Sequence, residues 1–221
     1  MKKRLAEETI ARRVAAEFRD GMIINLGYGM PTTCAAFVPK ELGIFFQAEN
    51  GVLGYGPPSL DAEKDYELID ASDTPVTHAP GMCFFDSGIS FDMIRGGHID
   101  LVVMGAYQVS KTGDLANWGR PGRPATGMGG AMDLAAGSKQ VFIMMLHTTK
   151  DGGPRIVNQC TFPLTAKGCV KKIFTDLAVI DVAGEGLVLR EIASGWCPED
   201  VQALTEPALI VAADLKEIQA G

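Results

Sequence analysis

The chain has 221 residues, 47% of them hydrophobic and 21% charged, enough apolar material for a sizeable core, and it reads as a single domain spanning 1–221. Its net charge of −7 comes with no basic stripe to offset it, so the chain repels a nucleic-acid backbone and nucleic acid is not an expected partner. Five cysteines, Cys34, Cys83, Cys160, Cys169 and Cys197, are scattered and never form a CxxC pair, which argues against a disulfide framework or a zinc site and fits a reducing cytoplasm.

At the start, MKKRLAEETIARR alternates charges where a signal peptide needs an apolar core, and no apolar run approaches ~18 residues. A soluble, unprocessed, cytoplasmic chain with no membrane partner is expected. Leu5, Ile10, Val14 and Phe18 recur at close to helical spacing and Gly21 supplies a stop, predicting an amphipathic first helix. The apolar run 22–26 ends in Gly27, Tyr28 and Gly29, after which Pro31 and Thr32 open a second predicted helix toward Val38. The same pattern recurs: the run 44–46 ends in AENG, 99–104 ends in Gly105 and Ala106, and 141–146 ends in His147 and Thr148. Alternating strands and helices predict an α/β fold, a mainly parallel sheet with helices on both faces.

Three stretches rich in Gly, Pro and charged residues break the rhythm, at 54–73, 110–130 and 148–171. They read as long loops or small hairpins, and their length favours a functional role. Toward the carboxyl end, the runs 177–182 and 187–191, joined through Gly184, Glu185 and Gly186, read as a hairpin. There is no internal repeat and no low-complexity tract.

Ligands of open α/β sheets collect at the carboxyl ends of the strands. Glu49 stands at such an end, in QAENGVLG at 47–54, where an apolar strand would desolvate its carboxylate and the N–H groups around Asn50 and Gly51 would face an oxyanion. The plain alternative is a glutamate that bonds its own turn. A lone GxG, here Gly27-Tyr28-Gly29, falls short of a dinucleotide fingerprint. GMGGAMDL at 127–134 has paired glycines, Gly129 and Gly130, that either cradle an anion or make a tight turn. Gln108 is placed to contact a ligand or to bond backbone. His98 reads as a structural residue, His78 and His147 lack a Ser/Asp triad, and Lys150 and Arg155 flank an ordinary solvated DGGP loop.

These segments together carry a resemblance. QAENGVLG, with NLGYGMPT, FFDS, IRGGHIDLVVMGAYQVS, GDLANW, GMGGAMDLAAGSK, CTFPLT and TDLAVIDV in collinear order, resembles the beta subunit of family I 3-oxoacid CoA-transferases over nearly the whole chain. The resemblance implies the CoA-transferase fold, with Glu49 as nucleophile and the Gly130 amide as oxyanion donor. Gly27, Tyr28, Gly29, Asn50, Gly51, Gln108 and Gly129 are the expected substrate and CoA contacts. It further implies a coenzyme A thioester as substrate, succinyl-CoA being the expected donor and a 3-oxoacid or other short carboxylic acid the acceptor, with no tightly bound cofactor or metal. The expected partner is an alpha subunit in an αβ unit dimerised to α2β2, without which the chain is expected to be inactive or nearly so. Ala48 replaces the family's usual serine and Tyr28 enlarges its GIG, departures that bear on substrate choice. An acyl-CoA hydrolase or lyase on the same scaffold, and a non-catalytic ligand-sensing domain, stay open as alternatives.

Overall fold

In the first predicted helix, Glu7 and Glu8 stand in the opening turn and Arg12 and Arg13 in the last, charges that complement the helix dipole at both ends. In a computed structural model, which describes residues 2–39, 41–59, 64–70, 72–122, 127 and 129–219, this stretch folds as α1 (Glu7–Ala15) and buries Ile10, Ala11, Val14 and Ala15. β1 (Ile23–Leu26) follows. The predicted second helix is a 3-10 helix, Met30–Phe37, rather than an α-helix. The cause is local: the Thr32 and Thr33 hydroxyls donate to Gly29 O at 2.8 Å and Met30 O at 2.7 Å, and Thr32 N donates to Gly29 O at 3.1 Å. These bonds close three-residue rather than four-residue turns.

The chain continues through β2 (Phe45–Ala48), β3 (Val52–Leu53), β4 (Cys83–Phe84), α2 (Ser87–Arg95), β5 (Leu101–Met104), β6 (Gln108–Ser110), β7 (Leu115–Ala116) and α3 (Ala131–Gly137). Then come β8 (Val141–Met144), β9 (Ile156–Val157), β10 (Val170–Phe174), β11 (Ala178–Ala183), β12 (Gly186–Ile192), α4 (Pro198–Ala203) and β13 (Leu209–Glu217). Among the described residues, ten strands form one sheet in the order β13-β12-β11-β10-β8-β5-β1-β2-β3-β4. Its centre, β2-β1-β5-β8-β10, is parallel. Both flanks turn antiparallel, through β3 and β4 on one side and the β11–β12 hairpin on the other. The hairpin matches its prediction.

β5 reads LVVM and β8 reads VFIM, buried at every position, as parallel strands covered on both faces must be. Their residues alternate between two cores. Leu101, Val103, Phe142 and Met144 join Ile10 and Val14 of α1, while Val102, Met104, Val141 and Ile143 join Ile94 of α2 and Leu134 of α3. Apolar burial stabilises by about 25 cal/mol per Å², and two buried faces make this layering the main source of cohesion. Asp86 caps α2 by accepting from Ile89 N at 3.0 Å, and Arg95 ties α2 to α3 through Asp133 at 2.8 Å.

The long stretches carry small elements. β6, β7 and β9 form a separate three-stranded sheet, and the described parts of 54–73 hold bridges of Pro58 to Val76 and Ile69 to Pro75. Residues 60–63, 71, 123–126 and 128, which include part of the PGRP segment and Met128 of GMGG, lie outside the described residues. Among the described residues no helix is long and apolar enough to cross a membrane.

Candidate active site

β1 and β2 run parallel with Asn25 level with Gln47. Glu49 follows Gln47 by two residues and therefore projects toward the same face. The side chains connect as this register requires. Asn25 Nδ2 donates to Gln47 Oε1 at 2.7 Å and to Glu49 Oε2 at 3.1 Å, and Gln47 Nε2 donates to Ser90 Oγ of α2 at 2.8 Å. Asn25, Gln47 and Ser90 are fully buried, whereas Glu49 lies at the partly open end of the chain of amides. Buried amides persist only when bonded, and here their bonding fixes the direction of one carboxylate. Asn25 Oδ1 is left as a buried acceptor with no partner among the described residues.

The turn after Glu49 is set by Gly51. Its φ is +119°, and a Cβ there would stand 2.1 Å from Phe85 O, a position only glycine can hold. Gly51 N donates to Ala48 O at 3.1 Å and Phe85 N to Gly51 O at 3.0 Å, which locks the turn onto the strand end. Asn50 is exposed, but its amide donates to Ile69 O at 2.9 Å and so tethers the neighbouring loop. Gly51 and the Asn50 side chain, two of the expected substrate contacts, shape the turn that carries Glu49.

Gly130, 81 positions away in sequence by subtraction of 49 from 130, comes to rest beside Glu49. A Cβ built on it would lie 3.5 Å from Glu49 Cγ and 3.2 Å from Phe91 Cζ. It is the N-cap of α3, and none of the described residues accepts from its backbone N–H. The structure thus brings the two expected catalytic positions together. Gly129 precedes it with φ +49° and open space around its Cβ direction.

The remaining expected positions divide. Gly27 N donates to Val103 O at 2.9 Å, and Gly29 N donates to Ser72 Oγ at 3.0 Å. Tyr28 is 76% exposed. Gln108 lies on the smaller sheet with its amide committed: Oε1 accepts from Thr161 N at 2.8 Å and Phe162 N at 3.1 Å, and Nε2 donates to Thr161 Oγ1 at 3.0 Å. Of its two readings, the backbone-bonding one is the arrangement the structure holds. Asn25, Gln47 and Ser90 were not among the expected positions. For Asn25 and Gln47 the signal was a polar residue inside an otherwise apolar strand, IINL and FFQA; Ser90, on α2, carried none.

Tyr55 is buried nearby, and its phenol is pushed up by that burial first and then by the charges of Asp70 and Glu49. His147 is fully buried, with Nδ1 3.0 Å from Thr175 Oγ1 and Nε2 2.9 Å from Thr205 Oγ1. Burial pulls its pKa down to about 4, so it is a neutral structural group. His78 and His98 are exposed.

Comparison with known proteins places this geometry. The profile of the family described as Coenzyme A transferase matches residues 7–204. The chain is 46% identical over 209 residues to the B component of the 3-oxoadipate CoA-transferase of Acinetobacter baylyi, covering 94% of this chain and 96% of that one. It is 48% identical over 210 residues to the beta component of the acetate CoA-transferase of Escherichia coli, covering 95% and 96%. Against human succinyl-CoA:3-ketoacid coenzyme A transferase 2, mitochondrial, identity is 47% over 216 residues, 97% of this chain but 42% of the human one. Among solved structures, the acyl-CoA transferase apoenzyme of Escherichia coli O157:H7 superposes with a TM-score of 0.77 at 19% identity, over 100% of this chain and 45% of that chain. The decarboxylase AibA/AibB gives 0.70 at 18% identity, over 98% and 90%. These two likenesses concern the fold.

Proposed function

Because the chain belongs to the coenzyme A transferase family, as its beta-type component, we propose that Glu49 is its nucleophile and that it moves CoA from an acyl-CoA, succinyl-CoA by preference, to a 3-oxoacid or other short carboxylic acid. The observation that carries the reading is the carboxylate of Glu49, held by Asn25 at 3.1 Å with the Gly130 backbone against its side chain.

The chemistry balances without an external proton. Glu49 adds to the thioester carbonyl, and collapse of the tetrahedral adduct expels the CoA thiolate and leaves a mixed anhydride. The thiolate then adds to the glutamyl carbonyl, breaking the anhydride to give a glutamyl-CoA thioester and the free donor acid. The acceptor carboxylate runs the same steps in reverse and restores Glu49. Covalent catalysis keeps the thioester's free energy on the enzyme. The donor from Asn25 Nδ2 already rests on Glu49 Oε2, and it stays on that oxygen when the glutamyl carbonyl becomes tetrahedral. The Gly130 N–H, free of acceptors among the described residues, is the second donor. One such donor contributes roughly 2.7–4 kcal/mol to the transition state.

The chain works with an alpha subunit in an α2β2 assembly in the cytoplasm, and the coenzyme A thioester is a substrate rather than a resident cofactor. The test follows CoA exchange from succinyl-CoA to acetoacetate by the assembled enzyme, with and without acceptor, in wild type and Glu49→Ala. Exchange that requires the acceptor and vanishes in the variant supports the reading. Acyl-CoA consumption that proceeds equally without acceptor indicates a hydrolase or lyase.

A further inference from the structure

Arg155 stands just ahead of β9, its backbone pinned by Arg155 N to His147 O at 3.2 Å and Val109 N to Arg155 O at 2.9 Å. Its guanidinium is half-buried and donates to Ala106 O at 3.3 Å. Arg120 lies 4.7 Å over the ring of Tyr107, and Tyr107 in turn packs edge-on to Phe162 at 6.3 Å. The two guanidiniums thus rest on consecutive residues, Ala106 and Tyr107, and after burial the charge of Arg120 is the next influence pushing the Arg155 pKa down. The carboxylate in the neighbourhood, Asp176, is buried and already engaged by Arg4 at 2.8 Å and by His147 N at 2.7 Å. Among the described residues neither Arg155 nor Arg120 has an acidic side chain within ion-pair distance.

A chain of net charge −7 has acids in surplus, yet among the described residues none reaches these two neighbouring guanidiniums. A half-buried cation beside a like charge is unfavourable unless an anion joins them, and the planar fork of arginine suits a carboxylate or a phosphate. Their position fits a substrate. Ala106 and Tyr107 follow β5, whose neighbour β1 separates it from β2. At about 4.8 Å per strand, the carboxyl end of β5, which leads into Ala106 and Tyr107, lies roughly 10 Å along the sheet edge from that of β2, which leads into Glu49.

We infer that Arg155 and Arg120 form an anion subsite that holds a charged group of the substrate, either the distal carboxylate of a dicarboxylic acyl group or a phosphate of coenzyme A, while Glu49 attacks the thioester. The inference rests on the proposed transferase reading. In this subsite Arg155 supplies the fixed fork and Arg120, stacked on Tyr107, the second charge.

The test uses the chain assembled with its alpha partner and compares Arg155→Gln, Arg155→Lys, Arg120→Gln and the Arg120→Gln/Arg155→Gln double variant. Donors are succinyl-CoA and butyryl-CoA, and inhibition is measured with CoA and 3′-dephospho-CoA. Loss of a charged hydrogen bond raises KM by roughly tenfold or more, and Arg155→Lys recovers part of it. A loss confined to succinyl-CoA assigns the carboxylate. An equal loss for both donors, with CoA no longer favoured over its dephospho form, assigns the phosphate. Unchanged KM for both donors in the double variant overturns the inference, as does an equal fall in kcat and thermal midpoint that Arg155→Lys does not relieve. Acyl-CoA trapping on Glu49 in the same variants separates this outcome from failure of the transferase reading, since the nucleophile is intact in all of them.

Discussion

Asn25 and Glu49, 24 residues apart in sequence, meet through a hydrogen bond of 3.1 Å from Asn25 Nδ2 to Glu49 Oε2. The same amide nitrogen donates to Gln47 Oε1 at 2.7 Å, so a single buried group both ties neighbouring strands and aims the carboxylate.

Replacing it therefore acts on catalysis and stability together. Asn25→Ala leaves Gln47 Oε1 buried without its donor, a penalty of about 1–3 kcal/mol, and removes a donor from the glutamyl oxyanion. Turnover of the assembled enzyme is expected to fall roughly 100-fold, with a lowered thermal midpoint. Wild-type kcat in this variant would show that Asn25 only braces the sheet.

Gly130→Ala introduces a methyl 3.2 Å from Phe91 Cζ and 3.5 Å from Glu49 Cγ. The backbone angle at Gly130, φ −82°, accommodates alanine, so the fold survives while the local spacing shifts. Its N–H matters mainly in the transition state, and kcat is expected to drop more than KM rises. Steady-state kinetics with a single donor decide the point: a raised KM at unchanged kcat would assign the turn to ground-state binding.

Gly51→Ala meets a harder obstacle. With φ +119° and a Cβ 2.1 Å from Phe85 O, the β2–β3 turn must open to admit a methyl. Strain of about 1–3 kcal/mol from the angle alone, plus the clash, predicts a clear fall in unfolding free energy and loss of activity. Chemical denaturation reads the first, and a variant as stable as wild type would contradict the described turn.

His147 gives a pH dependence. Burial holds its folded-state pKa down at about 4, against 6.5 for the free group, with Asp176 opposing and Arg4 reinforcing the shift. Between these values the unfolded chain carries a proton that the folded chain does not, so stability rises with pH across this window and is lost as pH falls from 6.5 toward 4. The contribution is on the order of 3 kcal/mol. Urea midpoints measured from about pH 7 to about pH 4 should decline, and the decline should flatten in His147→Gln. An equal slope in both proteins would place the titration elsewhere.

Much of this was readable in the residues. Apolar runs ending in glycine located the central strands, and Glu49 stood out because a carboxylate follows a buried strand. Other features depend on register or on distant packing. Nothing local says that Asn25 aligns with Gln47, or that Ser90 of α2 arrives over them. α2 buries only Ser90 and Ile94, too few apolar positions to mark a helix period. β13 is an edge strand with Ile210 and Val211 exposed, so its pattern lacks the alternation of a half-buried strand. Arg155 lies in a segment that reads as solvated loop, and only the fold shows its guanidinium reaching Ala106 O.

The covalent step on Glu49 is tested most directly by trapping. The assembled enzyme is incubated with succinyl-CoA without acceptor, reduced with borohydride and digested, and the peptide spanning QAENGVLG is weighed and sequenced by mass spectrometry. A glutamyl-CoA thioester is reduced to an alcohol, so Glu49 is expected to lose one oxygen and gain two hydrogens, only when acyl-CoA was present. An unmodified Glu49 peptide from enzyme that is actively exchanging CoA would contradict the account.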